Sequence, residues 1–178
     1  MSDWDGWSKL RQESRPHLVP WEPVWSPDTL TKSSFRARLR QYARDAKEDV
    51  GHAFFIFRNE DHQLVGSITL SNIRRGVAQT GTIGYWTGQP YIRQGYMCEG
   101  ICALLPELFD KFGLRRIEAA CLPDNIPSAS LLEKIGFSHE GHARQYLCIN
   151  GIWQDHLLFA IIKGDAMAIK KSSVASVH

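Results

Sequence analysis

The segment Gln89-Pro90-Tyr91-Ile92-Arg93-Gln94-Gly95-Tyr96-Met97 follows an apolar, strand-like stretch and opens a run of helical periodicity. Such a junction can bind an anion. Glycine lets backbone approach a ligand closely, and the first helical turn offers unpaired N–H groups at the positive end of the dipole. The chemistry is that of a diphosphate cradle, although the same pattern also serves as an ordinary helix start. Two other phosphate sites are excluded. Gly95 and Gly100 have G-x-x-x-x-G spacing, but Ile101-Cys102 stands where a nucleotide-hydrolase loop needs Lys and Ser or Thr. No G-x-G-x-x-G occurs, so there is no dinucleotide fingerprint. A second polar cluster, Asn125-Ile126-Pro127-Ser128, begins another helix, where Asn is a favoured cap. Cys98, Cys102, Cys121 and Cys148 form no C-x-x-C pair, and the histidines supply no matching ligand spacing, so no metal site is expected. His17, His139, His142 and His156 could serve as bases, but none has a carboxylate partner in sequence, and they read rather as surface or satisfied histidines.

The elements that must position these residues are legible from periodicity. Trp4, Trp7 and Leu10 lie three apart, predicting a first helix after Ser2 or Asp3. Four prolines between Arg15 and Pro27 bar a long helix there. Ser26-Pro27-Asp28 is then expected to open a helix to about Lys47, with Phe35, Leu39, Tyr42 and Ala46 on its inner face. A hairpin of His52–Phe57 and Gln63–Leu70 follows, then a strand Thr80–Trp86. Next come a helix from Gly95 to about Phe112 containing Pro106, a strand Arg115–Cys121, and a helix Pro127–Ile135 stopped by Gly136. Tyr146–Ile149 and Trp153–Ile162 flank the turn pair Asn150-Gly151. The sum is a mixed α/β domain over 1–162 with a tail at 163–178, where the apolar pattern gives way to Ala, Ser and Lys.

Lys and Arg number 21 and Asp and Glu 19, a net charge of +2, which excludes a globally polyanion-binding protein; no DNA partner is expected. No run approaches the roughly 18 apolar residues of a membrane span, and the acidic start lacks an apolar signal core. With unpaired thiols, the expectation is a soluble cytoplasmic protein with no membrane partner. One local basic stripe, Arg36, Arg40, Arg44 and Lys47, reads either as a solvated helix face or as a contact for an acidic partner such as ribosomal RNA.

The order of strand, glycine turn and helix, strand, Asn-x-x-Ser-x-x-Leu helix, Gly-Phe and hairpin resembles the GNAT superfamily of N-acetyltransferases. Within it the chain looks most like the RimJ group of ribosomal-protein-alanine N-acetyltransferases. The matching stretches include Pro20-Trp21-Glu22-Pro23, Ile83-Gly84-Tyr85-Trp86, Arg93-Gln94-Gly95-Tyr96-Met97, Leu132-Glu133-Lys134-Ile135-Gly136-Phe137 and Tyr146-Leu147-Cys148-Ile149-Asn150-Gly151. The resemblance implies a mixed, mostly antiparallel central sheet flanked by helices, with the family's first strand expected to be missing or replaced because this chain starts at the helix.

It also implies acetyl-CoA as co-substrate. The amides of Arg93, Gln94, Gly95, Tyr96 and Met97 would hold the diphosphate, with the Arg93 side chain adding charge. The strand ending at Tyr85-Trp86-Thr87 would splay from the Arg115–Cys121 strand and pair with the pantetheine arm. Asn125 would bind that arm, cap its helix, or do both, and Ser128 would lie near the sulfur. Three departures from the family pattern matter. Ile92 and Met97 stand at the ends of the phosphate motif. Leu132 replaces the tyrosine that commonly protonates the thiolate, so Ser128 is the expected substitute, directly or through water. Thr82 stands where relatives carry Glu before Ile-Gly-Tyr, so Glu118 becomes the first candidate base, with Asp155 and Glu22 as alternatives for gripping an ammonium; each also reads as an ordinary surface carboxylate. Tyr146, Trp86 and Trp21 wall the acceptor groove or belong to the core.

The expected reaction is direct acetyl transfer to a protein N-terminal amine, on Ala or Ser and on a ribosomal protein in the RimJ-like case, without a covalent enzyme intermediate. Two rivals stand beside it: a small-molecule amine acceptor, and a non-catalytic CoA-binding module docked on the ribosome or RNA.

Overall fold

The computed structural model describes residues 2–165; the tail expected at 163–178 lies outside them after its first three residues. Helix α1 (Ser2–Glu13) leads into the one-turn α2 (Arg15–Leu18) and a 3-10 turn (Val19–Trp21), as the prolines require. Helix α3 (Lys32–Lys47) and strands β1 (His52–Phe57), β2 (Leu64–Arg74) and β3 (Thr80–Thr87) follow. Then come α4 (Tyr96–Asp110), β4 (Arg116–Cys121), α5 (Ile126–Ile135) and the hairpin β5 (Ser138–Ile149) and β6 (Ile152–Ile162). The strands form one sheet in the order β1-β2-β3-β4-β6-β5, antiparallel except for the parallel β3–β4 pair. This is the expected mixed sheet, and among the described residues only helices precede β1.

Each sheet face is covered by different helices. On one side α4 buries Met97, Ile101, Leu105, Leu108 and Phe109 against Ile68, Leu70, Ile83, Ile117 and Ile161. The helix runs through Pro106, whose missing N–H would have served Cys102, an exposed residue where water can bond the carbonyl. On the other side lie the N-terminal helices, with Trp7 packed on Phe35 at a centroid distance of 5.0 Å. They are tied to the sheet by the backbone N–H of Gln89, which donates to the buried Ser14 Oγ at 2.8 Å.

Three features differ from the sequence reading. Helix α3 starts at Lys32, not near Pro27: Thr31 is its cap and accepts from the Ser34 N–H at 3.3 Å, while Asp28 belongs to the preceding turns. Of its expected inner face only Phe35 is buried: the later turns border an open groove with Tyr42 half-buried on its wall, and Leu39 remains 38% exposed. Strand β5 begins at Ser138, eight residues before the alternating stretch at Tyr146. It is a polar edge strand with register breaks between His139 and Gly141 and between Ala143 and Leu147, so no period-two signal survives.

Candidate active site

The parallel ladder between β3 and β4 joins only Thr80 to Arg116, Gly81 to Ile117 and Thr82 to Glu118. Beyond that point β3 continues to Thr87 and β4 to Cys121 without pairing each other, leaving inner-strand backbone groups free. A cleft of about 780 Å³ occupies this split. Its wall includes Tyr85, Trp86, Ala120, Asn125, Ser128 and His156, from both sheet faces, so the cleft passes through the sheet.

At one mouth stands the predicted cradle. Gly95 caps α4 with φ 90°, a left-handed conformation that a Cβ would strain, and Arg93 holds φ 60° two residues earlier. The first intrahelical bond there runs from the Glu99 N–H to the Gly95 carbonyl at 3.0 Å, so the N–H groups of Tyr96, Met97 and Cys98 begin the helix without intrahelical partners. Arg93, Gly95, Tyr96 and Met97 line the cleft; Gln94 does not, its side chain donating to the Pro90 carbonyl at 2.7 Å.

Alternation along β3 sends consecutive side chains to opposite faces. Tyr85 points to α5, where its hydroxyl meets Ser128 Oγ at 2.8 Å. Burial pushes the Tyr85 phenol up to about 12, with the Ser128 contact pulling partly the other way. A proton therefore stays on this oxygen across the neutral range. Burial also raises the neighbouring Cys121 thiol, which disfavours a thiolate nucleophile. Asn125 caps α5, accepting from the Ser128 N–H at 3.2 Å, and its side-chain NH2 has no partner among the described residues. Capping and a ligand contact are thus compatible.

Trp86 points the other way, to the N-terminal helices. The buried Arg11 guanidinium lies 4.8 Å from its ring and 4.3 Å from that of Trp25. Arg11 donates to both carboxylate oxygens of Glu22, at 2.7 and 2.6 Å, and Trp25 Nε1 donates to one of them at 2.8 Å. Glu22 and Trp21 line the cleft, and the Asn150 N–H bonds the Glu22 carbonyl at 2.9 Å, pinning this loop to the β5–β6 turn. Among the described residues Glu22 is the one carboxylate on the cleft wall, and its charge is already balanced by Arg11.

Three expected residues are placed elsewhere. Glu118 lies in a separate groove of about 690 Å³ beside α3, bound by Arg116 at 2.9 Å and Arg74 at 3.3 Å. Alternation on β4 and the short β3–β4 ladder hold it at the closed end of the split. Asp155 accepts from the Gln145 N–H at 2.9 Å and meets His142 at 3.3 Å, off the cleft wall. Tyr146, neither core nor cleft wall, is 46% exposed in the Glu118 groove, its ring edge-on to His156 at 5.7 Å. Arg36, Arg40, Arg44 and Lys47 are all exposed on α3.

Residues 2–138 match the family model described as "Acetyltransferase (GNAT) domain". The chain belongs to the GNAT acetyltransferase family. It is 35% identical over 156 residues to the Bacillus subtilis protein named "Probable N-acetyltransferase YjcK", covering 88% of this chain and 86% of that one. It is 33% identical to the [ribosomal protein uS5]-alanine N-acetyltransferase of Escherichia coli, over 92% of this chain and 85% of that one. Among solved structures, Mycobacterium smegmatis RimJ in complex with CoA-disulfide matches with a TM-score of 0.88 at 30% identity, covering 96% of this chain and 85% of that one.

In this acetyltransferase the cleft fits acetyl-CoA, which supplies an activated acetyl thioester. The positive-φ cap at Gly95 and free N–H groups suit a diphosphate, and the unpaired inner strand edges suit an arm with two amides. Among the wall residues that the sequence reading left without a site role are Lys134 and His156. Lys134 shares a helical stripe with Ser128 and Leu131, each three residues apart; that spacing could have revealed it. His156 is 3% exposed yet on the cleft wall, a combination that no local pattern announces.

Proposed function

We propose that the enzyme transfers the acetyl group of acetyl-CoA to the α-amine of a protein N-terminus beginning with Ala or Ser, by direct attack in a ternary complex. The observation that carries this reading is the charge of the cleft: its one carboxylate, Glu22, is committed to Arg11 and Trp25. No free anion is offered to hold an ammonium in place, so the cleft favours an acceptor that gives up its proton readily. An α-amine, with pKa about 7.7–8.0, is roughly one-tenth neutral at pH 7, several hundred-fold more than a lysine amine at about 10.4. The same feature disfavours a polyamine, whose charges would need an acidic groove. Trp21, Leu18, Leu147 and Ile149 leave an apolar chamber suited to a small first side chain.

In this reading Arg93, Gly95, Tyr96 and Met97, joined by Lys134, hold the phosphates. The β3 backbone at Tyr85-Trp86 and the Asn125 amide hold the arm. Ser128 stands at the sulfur and passes it the proton kept on Tyr85. Trp21 and Glu22 shape the acceptor chamber, with Tyr146 and Asp155 outside it. The name of the E. coli protein supports a ribosomal protein as acceptor, hence a cytoplasmic site of action. The exposed stripe Arg36, Arg40, Arg44 and Lys47 is the proposed contact with ribosomal RNA.

Mass spectrometry of acetyl transfer to two peptides tests this. One has a free Ala N-terminus and no lysine; the other has a blocked N-terminus and one lysine. Transfer to the first alone is expected, and transfer to the second alone would reassign the enzyme to lysine.

A further inference from the structure

We infer that His156 is the proton acceptor for the attacking amine. The inference rests on the N-terminal acceptor reading and adds the group that chemistry needs. The imidazole is buried at the start of the β4–β6 ladder, one residue before Leu157, which pairs with Cys121 at the open end of the split. Its Nδ1 lies 3.0 Å from the Gln154 carbonyl, which can only accept, so Nδ1 carries the hydrogen. In the neutral ring the lone pair is then on Nε2. Nε2 has no partner among the described residues, and the one fully enclosed side-chain nitrogen or oxygen without a partner is Arg11 Nε. His156 Nε2 is therefore open to the cleft that the ring lines.

The competing carboxylates are occupied, and the other imidazole on the cleft wall, His17, makes no side-chain hydrogen bond among the described residues that would fix its tautomer. Glu22 is bound by Arg11 and Trp25, Glu118 by Arg74 and Arg116, and Asp155 by the Gln145 N–H and His142. Titratable and charged groups on the elements around His156 include Tyr146 on β5, where His142 and Arg144 flank Ala143, the strand partner of His156, Cys121 and Glu118 on β4, Arg11 on α1, His17 on α2, Glu22 in the following loop and Asp155 on β6 itself.

The bookkeeping closes. Nε2 takes one proton from the ammonium and releases it to solvent. The freed nitrogen pair forms the C–N bond while the C–S bond breaks, its electrons leaving with sulfur. The sulfur takes a proton from the Tyr85–Ser128 pair, and Nε2 accepts the second nitrogen proton, which returns that pair to its protonated state through solvent.

Acetyl transfer to the free-Ala peptide, measured from about pH 6 to about pH 9 for wild type, His156→Asn and His156→Gln, tests the inference. Asn keeps a donor near the Nδ1 position and Gln places an amide near Nε2; neither is a base. Both should lower kcat/KM about 100-fold near pH 7, the usual scale of general base catalysis. The deficit should shrink about tenfold by pH 9, where the α-amine, with pKa about 7.7–8.0, supplies its own neutral form. CoA affinity by calorimetry should stay within about twofold. A pH-independent deficit, no deficit, or loss of CoA binding in both variants would overturn the inference. A wild-type enzyme inert toward the peptide would overturn the acceptor reading and this inference with it.

Discussion

Two hollows of similar size, about 780 and 690 Å³, flank β4, and only one is equipped for chemistry. The groove beside α3 contains the carboxylates Asp45 and Glu118, yet it lies over a closed part of the sheet, and Glu118 is clasped by two arginines. The cleft has no free carboxylate, but it lies where the β3–β4 ladder ends, and it holds the Tyr85–Ser128 pair and the unpartnered His156 Nε2. The difference shows that a break in strand pairing, which exposes backbone donors and acceptors from both faces, matters more here than acidic side chains or volume.

The sharpest way to break this contrast is at the cradle. Gly95→Val forces a β-branched residue to φ 90° and should weaken CoA binding at least tenfold, by calorimetry, with the fold retained. Tyr85→Phe should lower kcat by about tenfold to a hundredfold with CoA affinity little changed. It also has a pH signature. Because folding raises this phenol from its ordinary 10.0 to about 12, the wild type is favoured fully below about pH 10 and loses that stability as pH climbs toward about 12. Alkaline denaturation should therefore be shallower for Tyr85→Phe over that window. In the other hollow, Glu118→Gln should change kcat less than about threefold, since its charge serves Arg74 and Arg116; a loss near 100-fold would return the base to Glu118. Last, replacing Arg36, Arg40, Arg44 and Lys47 by Gln should leave peptide acetylation unchanged while flattening the salt dependence of RNA binding.

The cradle and the α5 cap were readable because each is local: a glycine or an asparagine acts within three or four residues of itself, and periodicity marks the helix it opens. Tyr85 was placed on the cofactor strand, but its hydroxyl contact with Ser128, 43 residues away, was not visible. Glu118 was correctly put on a strand bordering β3. Whether it sits at the open or the closed end of the split depends on where the ladder stops, and that depends on packing at both strands. His156 looked like an ordinary histidine because its value lies in burial and in what leaves Nε2 free.

Residue order alone settled the strand and helix succession, the two helix-start motifs and the absence of a nucleotide-hydrolase loop, since these rest on spacing within single elements. Tertiary structure alone decided which carboxylates are neutralised, which hydroxyl Ser128 meets, and which histidine on the cleft wall has its tautomer fixed. Those outcomes depend on segments as distant as Arg11, Glu118 and His156 converging around one sheet, and on the low local polarity that makes each pairing count.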